Sequence, residues 1–330
     1  MQYIITTKDP GKNSGGNKAK KDIDFFAHQI DDTGILTIPL YQSRMKRFLL
    51  TKHMVSSIIK KHPAEKYILQ YPTQYEKATI QIIKTIQNET NSEIDLVVHD
   101  IPGFQFNQNN WRTERLLFNS VGGLIIHNDS MKQWLKSHGV NTKMINLGLF
   151  DYDNEQPLQK KHKYEESVCF PGNLSKSVFL TKLSLRHSIN IYGPNKLSYY
   201  PSCVKYCGEY TPEELPKHLH EDFGLIWDGN DTGTCNGPFG EYLKINNPHK
   251  VSLYLSSGIP VIIWKKAALA NFIEENGLGI TINSLSELDN ALSSMSNDSY
   301  QIMKQNAENI GLKLRRGFYI KNAIKMLDEA

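Results

Sequence analysis

Short apolar runs rich in β-branched residues recur along the chain, separated by stretches with helical spacing. The runs predict strands over 3–6, 35–40, 67–71, 94–99, 124–127 and 143–146, with helices over 18–30, 45–61, 75–89, 111–119 and 130–138. A second alternation predicts strands over 167–170, 189–192, 205–207, 223–227, 261–264 and 279–282. Its helices fall over 177–186, 213–220, 249–256, 266–276 and 286–294, and 300–329 reads as two helical pieces broken near Gly311 and Gly317. Residues 151–163 are polar, charged and aperiodic, with Pro157 in their middle, and read as a linker. Alternation of this kind is the pattern of βαβ units with parallel sheets, so the fold class is α/β with two doubly wound halves.

The most informative stretch is Ile245-Asn246-Asn247-Pro248-His249-Lys250, followed by Val251-Ser252-Leu253-Tyr254-Leu255-Ser256-Ser257-Gly258-Ile259-Pro260-Val261-Ile262. It reads as a polar turn, a helix, a glycine stop and a buried strand entered through a proline. Unpaired N–H groups and the dipole at a helix entrance favour an anion, and Lys250 adds a full positive charge there. A phosphate-bearing ligand fits.

This string resembles the nucleotide-sugar site of GT-B glycosyltransferases. The resemblance is to the bacterial branch with the third glucosyltransferase of streptococcal serine-rich-repeat adhesin glycosylation and the galactofuranosyltransferases of surface-polysaccharide clusters. It implies two Rossmann-like domains facing a cleft: an acceptor domain over 1–150, a linker over 151–165 and a nucleotide-sugar domain over 166–312. A C-terminal helix over 313–330 is expected to return to the first domain. It also implies UDP and a UDP-hexose as ligands, a glycan or glycosylated protein as acceptor, and a homo-oligomer, dimer or tetramer.

Composition narrows this picture. The 330 residues are 39% hydrophobic and 22% charged, with a formal net charge of +4, as in an ordinary globular protein. No nucleic-acid motif is visible, so no nucleic acid is expected as partner. Cys169, Cys203, Cys207 and Cys235 lack zinc-site spacing. They read as reduced thiols of a cytoplasmic protein. There is no signal-peptide pattern and no apolar run long enough to span a bilayer.

Other segments carry candidate chemistry. Gly11-Lys12-Asn13-Ser14-Gly15-Gly16-Asn17-Lys18-Ala19-Lys20 opens a helix after a strand, and its glycines allow close backbone approach to an anion or simply a surface turn. The resemblance points to Gly16 and Asn17 as donor-facing. Cys169-Phe170-Pro171-Gly172-Asn173-Leu174-Ser175-Lys176 is the equivalent loop of the second half. Asn173 or Ser175 can cap its helix. A lysine at a helix start is unfavourable against the dipole unless an anion is present, and the resemblance assigns Lys176 to the donor phosphates. Thr211, Pro212 and Glu214 form a capping box. Tyr210 before it is a hydrophobic staple or, by the resemblance, the residue stacked on uracil. Asp228 ends a buried strand, and the glycines from Gly229 through Gly240 read as mobility beside a ligand. Asn246 and Asn247 offer amide donors.

Val97-Val98-His99-Asp100 places a titratable pair at a strand end. Asp100 can take the acceptor proton directly or orient His99, or it can cap the turn ahead of Pro102. Many retaining relatives of the fold carry two glutamates eight apart; here Glu241 is followed by His249, which favours inversion. The triplets Asp22-Ile23-Asp24 and Asp151-Tyr152-Asp153 fall in a predicted helix and the linker and read as surface charge. The expected enzyme therefore needs no metal and no cofactor, with Lys176 and Lys250 carrying the leaving-group charge. Residues 43–62 interleave Arg44, Lys46, Arg47, Lys52, Lys60 and Lys61 with Met45, Leu49, Val55 and Ile58. That basic amphipathic helix packs on its own domain, touches another subunit, or makes peripheral contact with anionic lipid.

The expected activity is transfer of glucose from UDP-glucose to a sugar such as N-acetylglucosamine on a Ser/Thr-rich glycoprotein. Galactofuranosyl or other hexosyl transfer in surface-polysaccharide synthesis is the alternative, and a non-catalytic partner subunit the rival. An epimerase would need a Gly-x-Gly-x-x-Gly and a Tyr-x-x-x-Lys pair, neither suitably placed.

Overall fold

The computed structural model describes residues 1–8, 15–105, 111–158 and 163–329. They form two units, Met1–Gly148 with Gly317–Ala330, and Leu149–Arg316.

The first unit is built on six strands: β1 (Gln2–Lys8), β2 (Thr33–Pro39), β3 (Lys66–Tyr71), β4 (Glu93–Val98), β5 (Gly123–Ile126) and β6 (Lys143–Asn146). They lie in the order β2-β1-β3-β4-β5-β6, every pair parallel. The strands read as near-continuous apolar runs because helices cover the sheet; Ile4, Ile68, Leu69, Leu96, Val97 and Leu124 are fully or almost fully buried. The helices are α1 (Gly15–Ala27), α2 (Arg44–Lys61), α3 (Glu76–Glu89), the single turn α4 (Pro102–Gln105), α5 (Trp111–Phe118) and α6 (Asp129–Ser137).

The second unit carries β7 (Val168–Pro171), β8 (Ile189–Tyr192), β9 (Val204–Tyr206), β10 (Phe223–Ile226), β11 (Val261–Trp264) and β12 (Gly279–Ile282). Its order is β12-β11-β10-β7-β8-β9, again parallel throughout. This is the dinucleotide-fold order, and its direction reverses between β7 and β10. The helices are α7 (Gly237–Tyr242), α8 (His249–Ser256), α9 (Ala270–Glu275), α10 (Leu288–Ser293) and α11 (Asn297–Leu314). The last helix, α12 (Phe318–Glu329), belongs to the first unit and buries Ile320, Ala323, Ile324 and Leu327 beside β5 and β6.

Several elements depart from the sequence expectation. The helix expected over 177–186 is a 3₁₀ segment, Val178–Lys182, because the backbone N–H groups of Arg186 and His187 are taken by Asp289. The helix expected over 213–220 shortens to a 3₁₀ turn, Leu215–His218. Gly311 breaks nothing: α11 runs through it, and a Cβ there would stand 2.3 Å from the Leu255 carbonyl of α8. The glycine serves close helix packing, and only Gly317 marks a stop. The linker read over 151–163 is packed into the second unit, where Asn154 donates to the Ser256 carbonyl at 3.2 Å; positions 159–162 lie outside the described residues. Among the described residues no helix is long and apolar enough to cross a membrane.

Candidate functional site

In an open parallel sheet, ligands bind where the strand order reverses, beyond the carboxyl ends of the strands. In the second sheet that point lies between β7 and β10. After β7 comes Gly172, then a 3₁₀ turn, Leu174–Lys176, capped by Asn173, whose Oδ1 accepts from Ser175 N at 3.3 Å. Of the two caps expected, Asn173 and Ser175, it is Asn173, on a shorter helix. After β10 come Trp227 and Asp228.

Helix α8 enters the same place. It is fixed by Tyr254, whose ring covers Gly224 of β10 so closely that a Cβ would lie 2.3 Å away, and whose hydroxyl donates to the Leu225 carbonyl at 3.0 Å. Its N-cap is Pro248, and no side chain caps it. From its first turn Lys250 sends its ammonium 4.1 Å from the centre of the Phe170 ring and 3.9 Å from the Cβ position of Gly172. Lys176, exposed, sits 4.6 Å from the centre of the Phe239 ring.

Asp228 lies within the field of both lysines. Burial raises its carboxyl above the usual carboxylate range, and Lys250 and then Lys176 pull it back down. Its backbone N–H donates to Cys235 Sγ at 3.4 Å. Lys176, Asp228 and Lys250 are thus brought together. Asn246 and Asn247 stand at the entrance to α8; Asn247 is buried, and the Asn246 Oδ1 is buried without a hydrogen-bond partner. Two of the glycines in 229–240 have a packing reason: Cβ atoms at Gly229 and Gly240 would each meet backbone 2.5 Å away, at Asn236 and Cys235, whereas no described atom lies near the Cβ position of Gly237. Glu241 is engaged by Lys244 at 2.6 Å on the surface.

Tyr210 stacks on His218, with ring centres 3.6 Å apart and planes 12° apart. The Thr211 hydroxyl accepts from Glu214 N at 3.2 Å, half of the expected capping box.

In the first unit, Gly16 is exposed, with no described atom within 4 Å of where a Cβ would be, and Asn17 is half-buried; 11–14 of their loop lie outside the described residues. His99 is buried just past β4. Its Nε2–H donates to Gln70 Oε1 at 2.7 Å, because the Gln70 amide is used on Asp24 Oδ1 at 2.7 Å and the Lys20 carbonyl at 3.1 Å. His127, held neutral by burial with its pKa lowered to about 4, donates to the Val98 and His99 carbonyls. Asp100 is half-buried and accepts from Gln105 Nε2 at 3.0 Å.

The Asp22-Ile23-Asp24 triplet is not surface charge. Asp22 is buried against Lys18 at 2.5 Å, and burial raises Asp24 to about 7 against hydrogen bonds from Thr6 and Gln70 and the charge of Lys20. Asp151 is buried too, so the second triplet is no better described that way. Sequence reasoning also missed Phe170 and Phe239, the rings under the two lysines. Phe170, one residue before the end of β7, was the available signal.

The family model described as "Glucosyltransferase 3-like, N-terminal domain" matches residues 1–149, and its C-terminal counterpart matches 168–327. Among curated relatives, the β-1,6-galactofuranosyltransferase WbbI of Escherichia coli K12 is 27% identical over 328 residues, 98% of this chain and 97% of its own. Glucosyltransferase 3 of Streptococcus gordonii is 26% identical over 265 residues, 78% of this chain and 77% of its own. Among solved structures, sucrose-phosphate synthase of Thermosynechococcus elongatus superposes with a TM-score of 0.68 at 10% identity, over 99% of this chain and 98% of that one. The glycosyltransferase WaaG of lipopolysaccharide biosynthesis gives 0.56 at 13% identity, over 99% of each chain.

Proposed function

The chain belongs to the glucosyltransferase 3-like family, with the Rossmann-like units of a GT-B glycosyltransferase, and we propose that it moves a hexose from a UDP-sugar to a sugar hydroxyl. The observation that carries this reading is the convergence of Lys176, Lys250 and Asp228 at the switch point of the second sheet. Two ammonium groups on aromatic faces and an uncapped helix entrance suit a diphosphate. Asn246 and Asn247 donate to phosphate or sugar hydroxyls, Asp228 accepts from the sugar, and Tyr210, held by His218, stacks on uracil. Gly16 and Asn17 border the donor.

In the reaction, the acceptor oxygen bonds to the anomeric carbon as the bond to the β-phosphate oxygen breaks. UDP leaves with the electron pair, stabilised by Lys176 and Lys250, and the acceptor proton passes to Asp100. His99, its tautomer set by Gln70, positions the strand end. The transfer inverts the anomeric centre and needs no metal.

Glucose transfer to N-acetylglucosamine on a Ser/Thr-rich protein is the first reading. The galactofuranosyltransferase relative, which aligns along almost the whole chain, favours a second: galactofuranosyl transfer to a growing polysaccharide. Purified protein screened with UDP-glucose and UDP-galactofuranose, reading UDP release, chooses between them. Absence of any UDP binding by calorimetry would support the reading as a non-catalytic partner. Asp100→Asn should lower kcat by about 100-fold or more with UDP affinity intact; equal loss of both removes Asp100 as the base.

A further inference from the structure

In the first unit, α2 and α3 wall an open cavity of about 980 Å³ that no step of sugar transfer uses. Five cations line it, Arg44, Arg47, Lys52, Lys77 and Lys84, against one carboxylate, Glu76. The Arg47 guanidinium lies 3.4 Å from the centre of the Tyr75 ring and donates to the Tyr41 carbonyl at 2.7 Å, so the wall is built. The nearby Glu89 is engaged mainly by Ser56 and Lys60, and its charge also reaches Lys52, so it offsets only part of this excess of positive charge. Beside the cavity, α2 leaves Met45, Leu49 and Leu50 exposed by 69%, 56% and 40%. Among its described side chains, Thr51, Val55 and Ile59 are buried on the inward side.

From this we infer that the α2–α3 face docks on a bilayer surface containing anionic phospholipid. Lipid phosphates would sit at the cationic cavity, and Met45, Leu49 and Leu50 at the boundary between headgroups and acyl chains. Basic and long apolar side chains interleaved on one helix face suit that interface. A nucleic-acid backbone would match the charge and leave three large apolar side chains unexplained. A second copy of the same face would oppose like charges.

The test is flotation of the full chain with vesicles of phosphatidylcholine alone and of phosphatidylcholine mixed with phosphatidylglycerol. Retention is expected on the anionic vesicles only, and to fall with added salt. Lys52→Glu with Lys84→Glu should reduce partitioning roughly fivefold or more per charge. Met45→Ser with Leu49→Ser should reduce it without changing its salt dependence. All four side chains are off the core, so unchanged melting temperatures verify the fold. Equal retention on neutral vesicles, insensitivity to the charge reversals, or displacement of the vesicles by duplex DNA through the same lysines overturns the inference. Neither donor nor acceptor is present in this assay, so its failure is separate from failure of the sugar-transfer reading.

Discussion

Both units gather lysines and aspartates near the switch point of a parallel sheet, and they use them in opposite ways. In the first unit the lysines are already engaged: Lys18 is buried against Asp22, and Lys20 donates to the Pro72 carbonyl at 2.8 Å. In the second, Lys176 and Lys250 rest on the faces of Phe239 and Phe170, with Asp228 feeling both. A cation–π contact is weaker than a buried ion pair and leaves the donor hydrogens of the ammonium to be claimed by a phosphate. The first arrangement holds a fold together, and the second suits a ligand that comes and goes.

The comparison breaks most visibly at Lys18. Removing one partner of a fully buried pair strands the other, so Lys18→Ala should cost about 3–5 kcal/mol of stability in denaturant titration. A loss below about 1 kcal/mol would mean that the pair is not what holds α1. Lys250→Ala should do the reverse, leaving stability nearly unchanged and weakening UDP binding by about 1.5–3 kcal/mol in calorimetry. If Lys250→Ala instead lowers stability and spares UDP, the two units have been assigned the wrong way round.

An effect of similar total size is written in pH, spread over about three units. Asp24 titrates near 7 in the folded chain, above its ordinary value of 3.8. Between those values the folded state binds the proton and the unfolded state has lost it. Stability should therefore fall as pH rises from about 4 to about 7, by up to about 1.4 kcal/mol per pH unit, and level off above. Asp24→Asn keeps the acceptor for Gln70 and should flatten that slope; an unchanged slope would place the titration elsewhere.

What was legible in the sequence was whatever depends on near neighbours. Apolar runs of four to six residues gave the strands, with 143–146, 189–192, 261–264 and 279–282 matching to the residue, and the polar prefix of α8 gave the candidate phosphate site. What escaped depends on partners far along the chain. Asp289 ends the segment after Val178–Lys182 from about a hundred positions away, and the Leu255 carbonyl that explains Gly311 belongs to another helix. Asp22 looked exposed because a carboxylate in a polar run usually is, and its burial is decided by a helix face with Lys18 one turn earlier. The base is the least legible part of the site, since a strand-end Asp100 accepting from Gln105 can equally well be a turn.

The smallest effect sharpens the comparison furthest, because it asks whether the first unit touches the donor at all. Gly16 lies in the first turn of α1, exposed, with no atom of the described residues near the position a Cβ would occupy. Packing does not demand glycine there, and Gly16→Ala should raise stability by about 0.5–1 kcal/mol through helix propensity. If glycine is kept so that backbone can lie against a diphosphate, the same substitution should weaken UDP-sugar binding while the protein melts higher. Unchanged affinity in the more stable variant would remove Gly16 from the donor site and leave the phosphate chemistry to Lys176, Lys250 and the entrance of α8.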